Sequence, residues 1–387
     1  METQLSRRNW FKSTFAIGAG LALSGASAHA GSLVSRLEAA PLSRAEREFF
    51  AMKSSGNKVR LNSNENPYGP SKKAREAVVQ ILGEANRYQF QTQEELRKRI
   101  AQRENVDPSY IMFGSGSGEI LCLVGAAYGL DGGSVLSSYP TFPLLMNYAE
   151  GVSARWDKVD LNDKLEHDYD KMASAIKSDT KVIFACNPNN PTGTVVDPNK
   201  VRAFAEEASK KALVYADEAY LEFLGPIEKN SLVDLVRKGN NVVVSRTFSK
   251  IFGLAGLRIG YVVAHPDTIK KISKFGDTIS ASQTAIAAAQ ASLGDEEFMQ
   301  MVRQKNAEAR KILTDYLDSK KYFYGKSEIN VVFFPAPKDG KTILAKCEEK
   351  GYLIRVWDYQ GKEWCRVSIG TPEEMKGFVK AFDEVTA

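Results

Sequence analysis

The stretch Asn241-Val242-Val243-Val244-Ser245-Arg246-Thr247-Phe248-Ser249-Lys250-Ile251-Phe252-Gly253-Leu254-Ala255-Gly256-Leu257-Arg258-Ile259-Gly260 decides how the chain is read. An apolar run without polar alternation describes a strand covered on both faces, as in parallel sheets flanked by helices. Polar residues follow directly, so they sit just past the strand's carboxyl end, the edge where doubly wound sheets bind ligands. A hydroxyl and an arginine there, Ser249 and Arg258, can hold a phosphate. Lys250 can serve as a nucleophile, because a lysine kept from permanent protonation forms a Schiff base with an aldehyde.

Working outward, similar apolar runs occur at Tyr110–Phe113, Ser134–Ser137, Lys181–Ala185 and Ala212–Ala216, with helical patterns at Glu119–Tyr128 and Lys200–Lys211 between them. The pattern predicts an α/β fold with a largely parallel sheet and helices on both faces. Beyond Thr284 the texture changes. A charged helix over Glu296–Ser319 precedes strands at Val331–Phe334, Leu353–Val356 and Trp364–Ile369, and a last helix starts near Pro372. We therefore expect an N-terminal arm over 31–60 with a helix at Ser43–Met52, a large domain over 61–283 and a smaller α+β domain over 284–387.

Composition narrows the function. The 387 residues are 43% hydrophobic and 26% charged, an ordinary globular profile with room for two or three folding units. A net charge of +5 from 52 basic and 47 acidic residues, with no long basic run, makes no case for nucleic acid. Three histidines argue against a His-rich metal site. The four cysteines contain no C-x-x-C pair and read as buried thiols, with no disulfide drawn.

Residues 1–30 read as an address. Ser6-Arg7-Arg8-Asn9-Trp10-Phe11-Lys12 has the twin-arginine pattern, a mildly apolar stretch runs from Phe15 to Leu23, and Ala28-His29-Ala30 offers a cleavage site. The apolar run is far short of the ~20 residues a spanning helix needs. Export by the twin-arginine machinery to the periplasm, with no permanent membrane span, is the expectation. That route often carries proteins folded around a cofactor.

Several motifs then agree in order: Leu61-Asn62-Ser63-Asn64-Glu65-Asn66-Pro67, Asn86-Arg87-Tyr88, Gly114-Ser115-Gly116-Ser117-Gly118-Glu119, Asn187-Pro188-Asn189-Asn190-Pro191-Thr192-Gly193, Asp217-Glu218-Ala219-Tyr220, the lysine segment, and Arg366-Val367-Ser368-Ile369-Gly370. Together they resemble the pyridoxal-phosphate aminotransferases of fold type I, and more narrowly the histidinol-phosphate aminotransferase group. The resemblance runs from about Arg60 to the C-terminus.

It implies pyridoxal 5'-phosphate as cofactor, held by Lys250 as a Schiff base, with Lys250 then moving the α-proton of the substrate. Asp217 would keep the pyridine nitrogen protonated, and Asn190 and Tyr220 would donate to the phenolate oxygen. Gly116, Ser117 and Gly118, at a helix start, would cradle the phosphate with Ser249 and Arg258; many members carry Asp where Gly118 stands. Phe142 matches the ring-stacking position, usually tyrosine. Tyr88 matches a tyrosine that reaches the neighbouring subunit's phosphate, which implies a homodimer, although Gln89 replaces the usual proline. Arg366 would bind the substrate carboxylate bidentately, with Asn330 and Arg355 in stretches that line the site; for Arg355 a structural salt bridge is the competing reading. The implied activity moves an amino group between an amino acid or histidinol-phosphate-like amine and a 2-oxo acid. Decarboxylation, elimination or oxidation on the same fold stays open, as does, more distantly, a non-catalytic exported binding protein. Export fits poorly with histidine biosynthesis, so the true donor is left open.

Overall fold

The computed structural model describes residues 58–88, 90–276 and 281–387. The twin-arginine stretch, the Ser43–Met52 helix and Gln89 lie outside them. Strand β1 (Val59–Arg60) is followed by helices α1 (Lys72–Ile81) and α2 (Phe90–Glu104). Next come β2 (Ile111–Gly114), α3 (Gly116–Gly129), β3 (Ser134–Tyr139), α4 (Leu144–Val152), β4 (Arg155–Asp160), α5 (Tyr169–Ser174), β5 (Thr180–Cys186), α6 (Pro198–Ala208), β6 (Leu213–Asp217), α7 (Val233–Arg237), β7 (Val242–Thr247), β8 (Gly260–Val263) and α8 (Pro266–Ile272). The C-terminal part holds α9 (Gln283–Ser292), α10 (Glu296–Ser319), β9 (Val331–Pro335), α11 (Gly340–Glu349), β10 (Tyr352–Leu353), β11 (Arg355–Tyr359), β12 (Lys362–Ser368) and α12 (Pro372–Thr386).

Seven strands form one sheet in the order β2-β8-β7-β6-β5-β3-β4. Only β8 runs against its neighbours, pairing antiparallel with both β2 and β7. The central strands show why their sequences do not alternate. Val214 and Val244 enter the core on one face, while Leu213, Tyr215 and Val243 enter the core on the other. Both faces are dry, so both registers are apolar.

One strand carries no such signal. β4, Arg-Trp-Asp-Lys-Val-Asp, is an edge strand paired only with β3, and its charged, half-exposed residues suit an unpaired edge. β8 is four residues long and follows the lysine loop directly.

A three-stranded antiparallel sheet, β11-β12-β9, packs its own core with Leu313, Leu317, Phe334, Phe378 and Phe382. The single run expected at Leu353–Val356 divides at Ile354. β10 pairs in parallel with β1, while β11 joins the antiparallel sheet. Helix α10 spans both cores: Met299 and Val302 sit in the first, Leu313 and Leu317 in the other. α12 starts with a full capping box between Thr371 and Glu374, which fixes the start read at Pro372. The four cysteines are free. No helix among the described residues is long and apolar enough to cross a membrane.

Behind the strand ends lies a buried charge cluster. Arg246, fully buried, meets Glu104 at 2.9 Å and Glu218 at 3.0 Å, and donates to Ser231 Oγ at 2.7 Å. Tyr261 donates to Glu104 at 2.9 Å. Breaking such a cluster from one side leaves the partners charged and unpaired in a dry interior. Arg246→Met is expected to lower stability by about 3–5 kcal/mol, read as a lower denaturant midpoint.

Candidate active site

Six strands deliver residues to one edge of the large sheet. β2, β3, β5, β6 and β7 end there, and antiparallel β8 begins there. That edge carries Ser117 and Gly118 in the first turn of α3, Asp217 as the last residue of β6, Phe142, Asn190, Tyr220, Ser249 and Lys250 in the segments after their strands, and Arg258 just before β8. All of these line one cavity of about 450 Å³, joined by Arg355 and Arg366 from the small sheet and by Ser63, Asn64 and Glu65 from the N-terminal segment. The size is that of a small-molecule site.

At one end, α3 starts at Gly116 rather than at Glu119, so its first turn faces the cavity. Gly116 has φ +74°, and a Cβ there would lie 2.4 Å from Arg258 Nη2. Only glycine allows the guanidinium so close to the helix start. Arg258, itself left-handed at φ +57°, donates to Ala255 O (2.8 Å), Ser115 O (3.0 Å) and Ser249 Oγ (3.5 Å). Gly253, at φ +72°, would place a Cβ 2.1 Å from Gly69 O, so the lysine loop is packed tightly on the N-terminal segment. The combination of helix N–H groups, Ser249 and a fixed guanidinium is an anion cup.

In the middle, burial works on an acid and a base in opposite directions. Asp217 accepts from Ala219 N–H at 3.2 Å and Ser245 Oγ at 3.4 Å, but burial pushes its pKa up to about 6. Burial, with the Arg366 charge second, pulls Lys250 down to about 8. Its Nζ touches Ser63 O at 3.4 Å and stands 5.4 Å from the centre of the Tyr220 ring. Burial raises the Tyr220 hydroxyl.

At the far side Arg366 is buried, and burial lowers it to about 10. It donates to Asn190 Oδ1 at 3.1 Å and to Asn62 O. Its Nε has no protein partner, and among the described residues no carboxylate pairs with it. Arg355 lines the same wall, exposed and without an ion pair among the described residues.

Three of the residues read from the sequence do not line the cavity: Gly116 forms the helix start against Arg258, and two others stand elsewhere. Asn330 is buried beside the cavity rather than in it, and donates to the carbonyls of Asn64 (3.0 Å) and Glu65 (3.4 Å). Tyr88 is 85% exposed, stacked on Phe90 at 5.9 Å, and borders a separate cavity with Gln283. Conversely, Asn64, Glu65, Thr247 and Leu144 line the cavity and were not singled out. Asn64 and Glu65 lie within the quoted Leu61–Pro67 motif, and only the fold shows that this segment forms a wall.

The residues fit pyridoxal phosphate on the structure's own terms. The cavity is lined by four basic side chains against two acidic ones, with an anion cup at one end, a buried guanidinium N–H lacking a partner at the other, and a depressed lysine between them. That is a place for a doubly anionic guest that reacts with an amine.

The comparisons agree. The model of the family "Aminotransferase class I and II" matches residues 56–382. A histidinol-phosphate aminotransferase of Bacillus cytotoxicus is 34% identical over 82% of this chain and 85% of the relative. One of Brevibacillus brevis is 33% identical over 84% and 90%. The crystal structure of histidinol-phosphate aminotransferase from Sinorhizobium meliloti in complex with pyridoxal-5'-phosphate superposes with a TM-score of 0.79. At 24% identity it covers 94% of this chain and 99% of that one, and it shares the fold. A lysine held below its usual pKa between an anion cup and a buried arginine is thus found in a chain that belongs to the class I and II aminotransferases, and the protein is a pyridoxal-phosphate-dependent aminotransferase.

Proposed function

We propose that the enzyme transfers the amino group of an anion-bearing primary amine, of the histidinol-phosphate class or an amino acid, to a 2-oxo acid. The observation that carries this is Arg366: a buried cation that lines the cavity and has no carboxylate partner among the described residues is suited to receive a substrate anion. Arg355, on the same wall, supplies a second positive charge.

Within this reading Ser117, Gly118, Ser249 and Arg258 hold the cofactor phosphate, Phe142 faces its ring, Asp217 pairs with the pyridine nitrogen, and Asn190 and Tyr220 meet the phenolic oxygen. Bound there, pyridoxal phosphate supplies an aldehyde that condenses with amines and a ring that accepts the electron pair left when a proton departs. The protein does the rest. Lys250, its pKa drawn down to about 8 so that a usable share of free amine is present at physiological pH, would hold the cofactor. The Lys250 amine, at the centre of the cavity, would be the group that holds and moves the donor's α-proton. Arg366 would hold the donor's anionic group in the cavity that Lys250 also lines.

Exposed Tyr88 and Phe90 support a homodimer, with Tyr88 turned toward a second copy rather than its own cavity. The large and small domains, 61–283 and 284–387, are proposed as the cofactor and substrate sides respectively. Residues 1–30 support twin-arginine export to the periplasm. Cell fractionation is expected to recover the mature chain there, and Arg7→Lys/Arg8→Lys is expected to retain it in the cytoplasm.

Titrating the reconstituted enzyme with single amines tests the donor class. Histidinol phosphate and acidic amino acids are expected to bleach the near-visible band at lower concentrations than uncharged amines, with keto product formed when a 2-oxo acid is added. Arg366→Met should weaken anionic donors at least tenfold and leave uncharged amines little changed. Equal response to charged and uncharged amines would refute the assignment.

The pH dependence of cofactor capture has a definite sign. The free Lys250 amine is the reacting form, so the rate at which apoenzyme takes up pyridoxal phosphate should rise with pH and level off above about 8. Because the Arg366 charge helps to hold Lys250 down, Arg366→Met should move that inflection to higher pH, as stopped-flow absorbance would record.

A further inference from the structure

Arg366 sets the direction of a buried hydrogen-bond chain behind the cavity. A guanidinium only donates, so the Asn190 amide atom it meets at 3.1 Å is the oxygen, and the Asn190 NH2 group points elsewhere. The Asn64 amide approaches that same oxygen at 3.5 Å and the Tyr220 hydroxyl at 3.0 Å, and it presents its nitrogen to both. Its oxygen therefore faces Ser368, whose hydroxyl donates to it at 2.7 Å while accepting the Asn64 backbone N–H at 2.8 Å. All five residues are buried. Turning the Asn64 amide over would set its oxygen against the Asn190 oxygen, which Arg366 holds in place.

The chain leaves Tyr220 one role. Its oxygen already receives a hydrogen bond from Asn64, so its proton is directed away from Asn64, and Tyr220 lines the cavity. The backbone supports the same choice of residue. Asn64 sits at φ +52°, left-handed, where Asn, Asp and Gly are the residues readily accommodated. Gly offers no donor, and Asp offers an acceptor that would draw the Tyr220 proton back.

We propose that Asn64 is a positioning residue that, by donating to Tyr220, commits the Tyr220 hydroxyl to donate into the cavity, to the phenolic oxygen of the bound cofactor. The inference rests on the reading that Tyr220 faces that oxygen. A hydrogen bond donated there stabilises the anionic form, so the pH at which the cofactor's absorption band changes is held low. Ser368 acts at one remove by holding the Asn64 amide.

The test is a spectroscopic pH titration of the reconstituted enzyme and its Asn64→Asp, Tyr220→Phe, double and Ser368→Ala variants. Asn64→Asp is expected to raise the midpoint by one pH unit or more, and Tyr220→Phe to raise it as well. In the Tyr220→Phe background, Asn64→Asp should add less than a third of its own shift. A shift that persists there in full would mean that the added charge acts alone, and would overturn the relay. Ser368→Ala introduces no charge and serves if Asn64→Asp does not fold. It should move the midpoint the same way by a smaller amount, and an unmoved midpoint overturns the proposal. If Tyr220→Phe leaves the midpoint unchanged, the reading of Tyr220 fails. If it moves the midpoint and Asn64→Asp does not, the role of Asn64 alone fails.

Discussion

Burying a carboxylate and an amine at the ends of neighbouring parallel strands works against folding, and the rest of this site is arranged around that cost. Asp217, raised to about 6 from 3.8, prefers to be neutral in the folded chain. The stability tied to its raised pKa is full below pH 4 and lost as pH rises through 6. Lys250, lowered to about 8 from 10.5, also prefers to be neutral, and its share is lost as pH falls from 10.5 to 8. Near pH 7 both groups are held in forms the interior disfavours, each at roughly 3 kcal/mol by the usual conversion. A ligand that brings a cationic nitrogen to one and an aldehyde to the other relieves both, so binding and folding are linked through the same two side chains.

The topology makes this juxtaposition possible. β6 and β7 are parallel neighbours, with Asp217 opposite Ser245 in register, so the residues just past each strand emerge side by side. β8 inverts the direction once, and its start brings Arg258 back to the same edge, against the first turn of α3. A purely parallel sheet would have sent that residue to the far end.

Much of this was legible in the sequence because both the core and the chemistry leave local marks. β5, β6 and β7 are dry on both faces and read as unbroken apolar runs; α10 shows its length and charge, and α12 its cap. The proposed cofactor residues lie at the ends of those strands or just past them: Lys250 is legible from its place behind the β7 run, while Asn190, Asp217 and Tyr220 come from the family resemblance. What escaped depends on distant pairing. β4 is polar because it is an edge, and β10 and β11 look continuous until their different partners separate them. Asn330 matches a site-lining stretch, yet its side chain reaches backbone carbonyls of the neighbouring wall. Asn64 and Glu65 belong to a loop whose place is set by β12 and β9, some 300 residues downstream, and no local signal reports that.

That loop also explains why the site is a fixed cleft on its N-terminal side. Between Ser63 and Asn66 the backbone and side chains are tied to three separate regions. Ser368 on β12 and Asn330 just before β9 hold Asn64 and the Glu65 carbonyl, Lys250 reaches the Ser63 carbonyl, and Asn66 donates to Ile251 O at 2.7 Å. A buried hydrogen bond left unmade costs about 1–3 kcal/mol, so swinging this segment away would forfeit several at once. Because Asn64, held by these bonds, also donates to Tyr220 and Asn190, this wall and those two side chains form one hydrogen-bonded unit. A change at Arg366 therefore reaches Asn190, Asn64 and Tyr220 through directional hydrogen bonds.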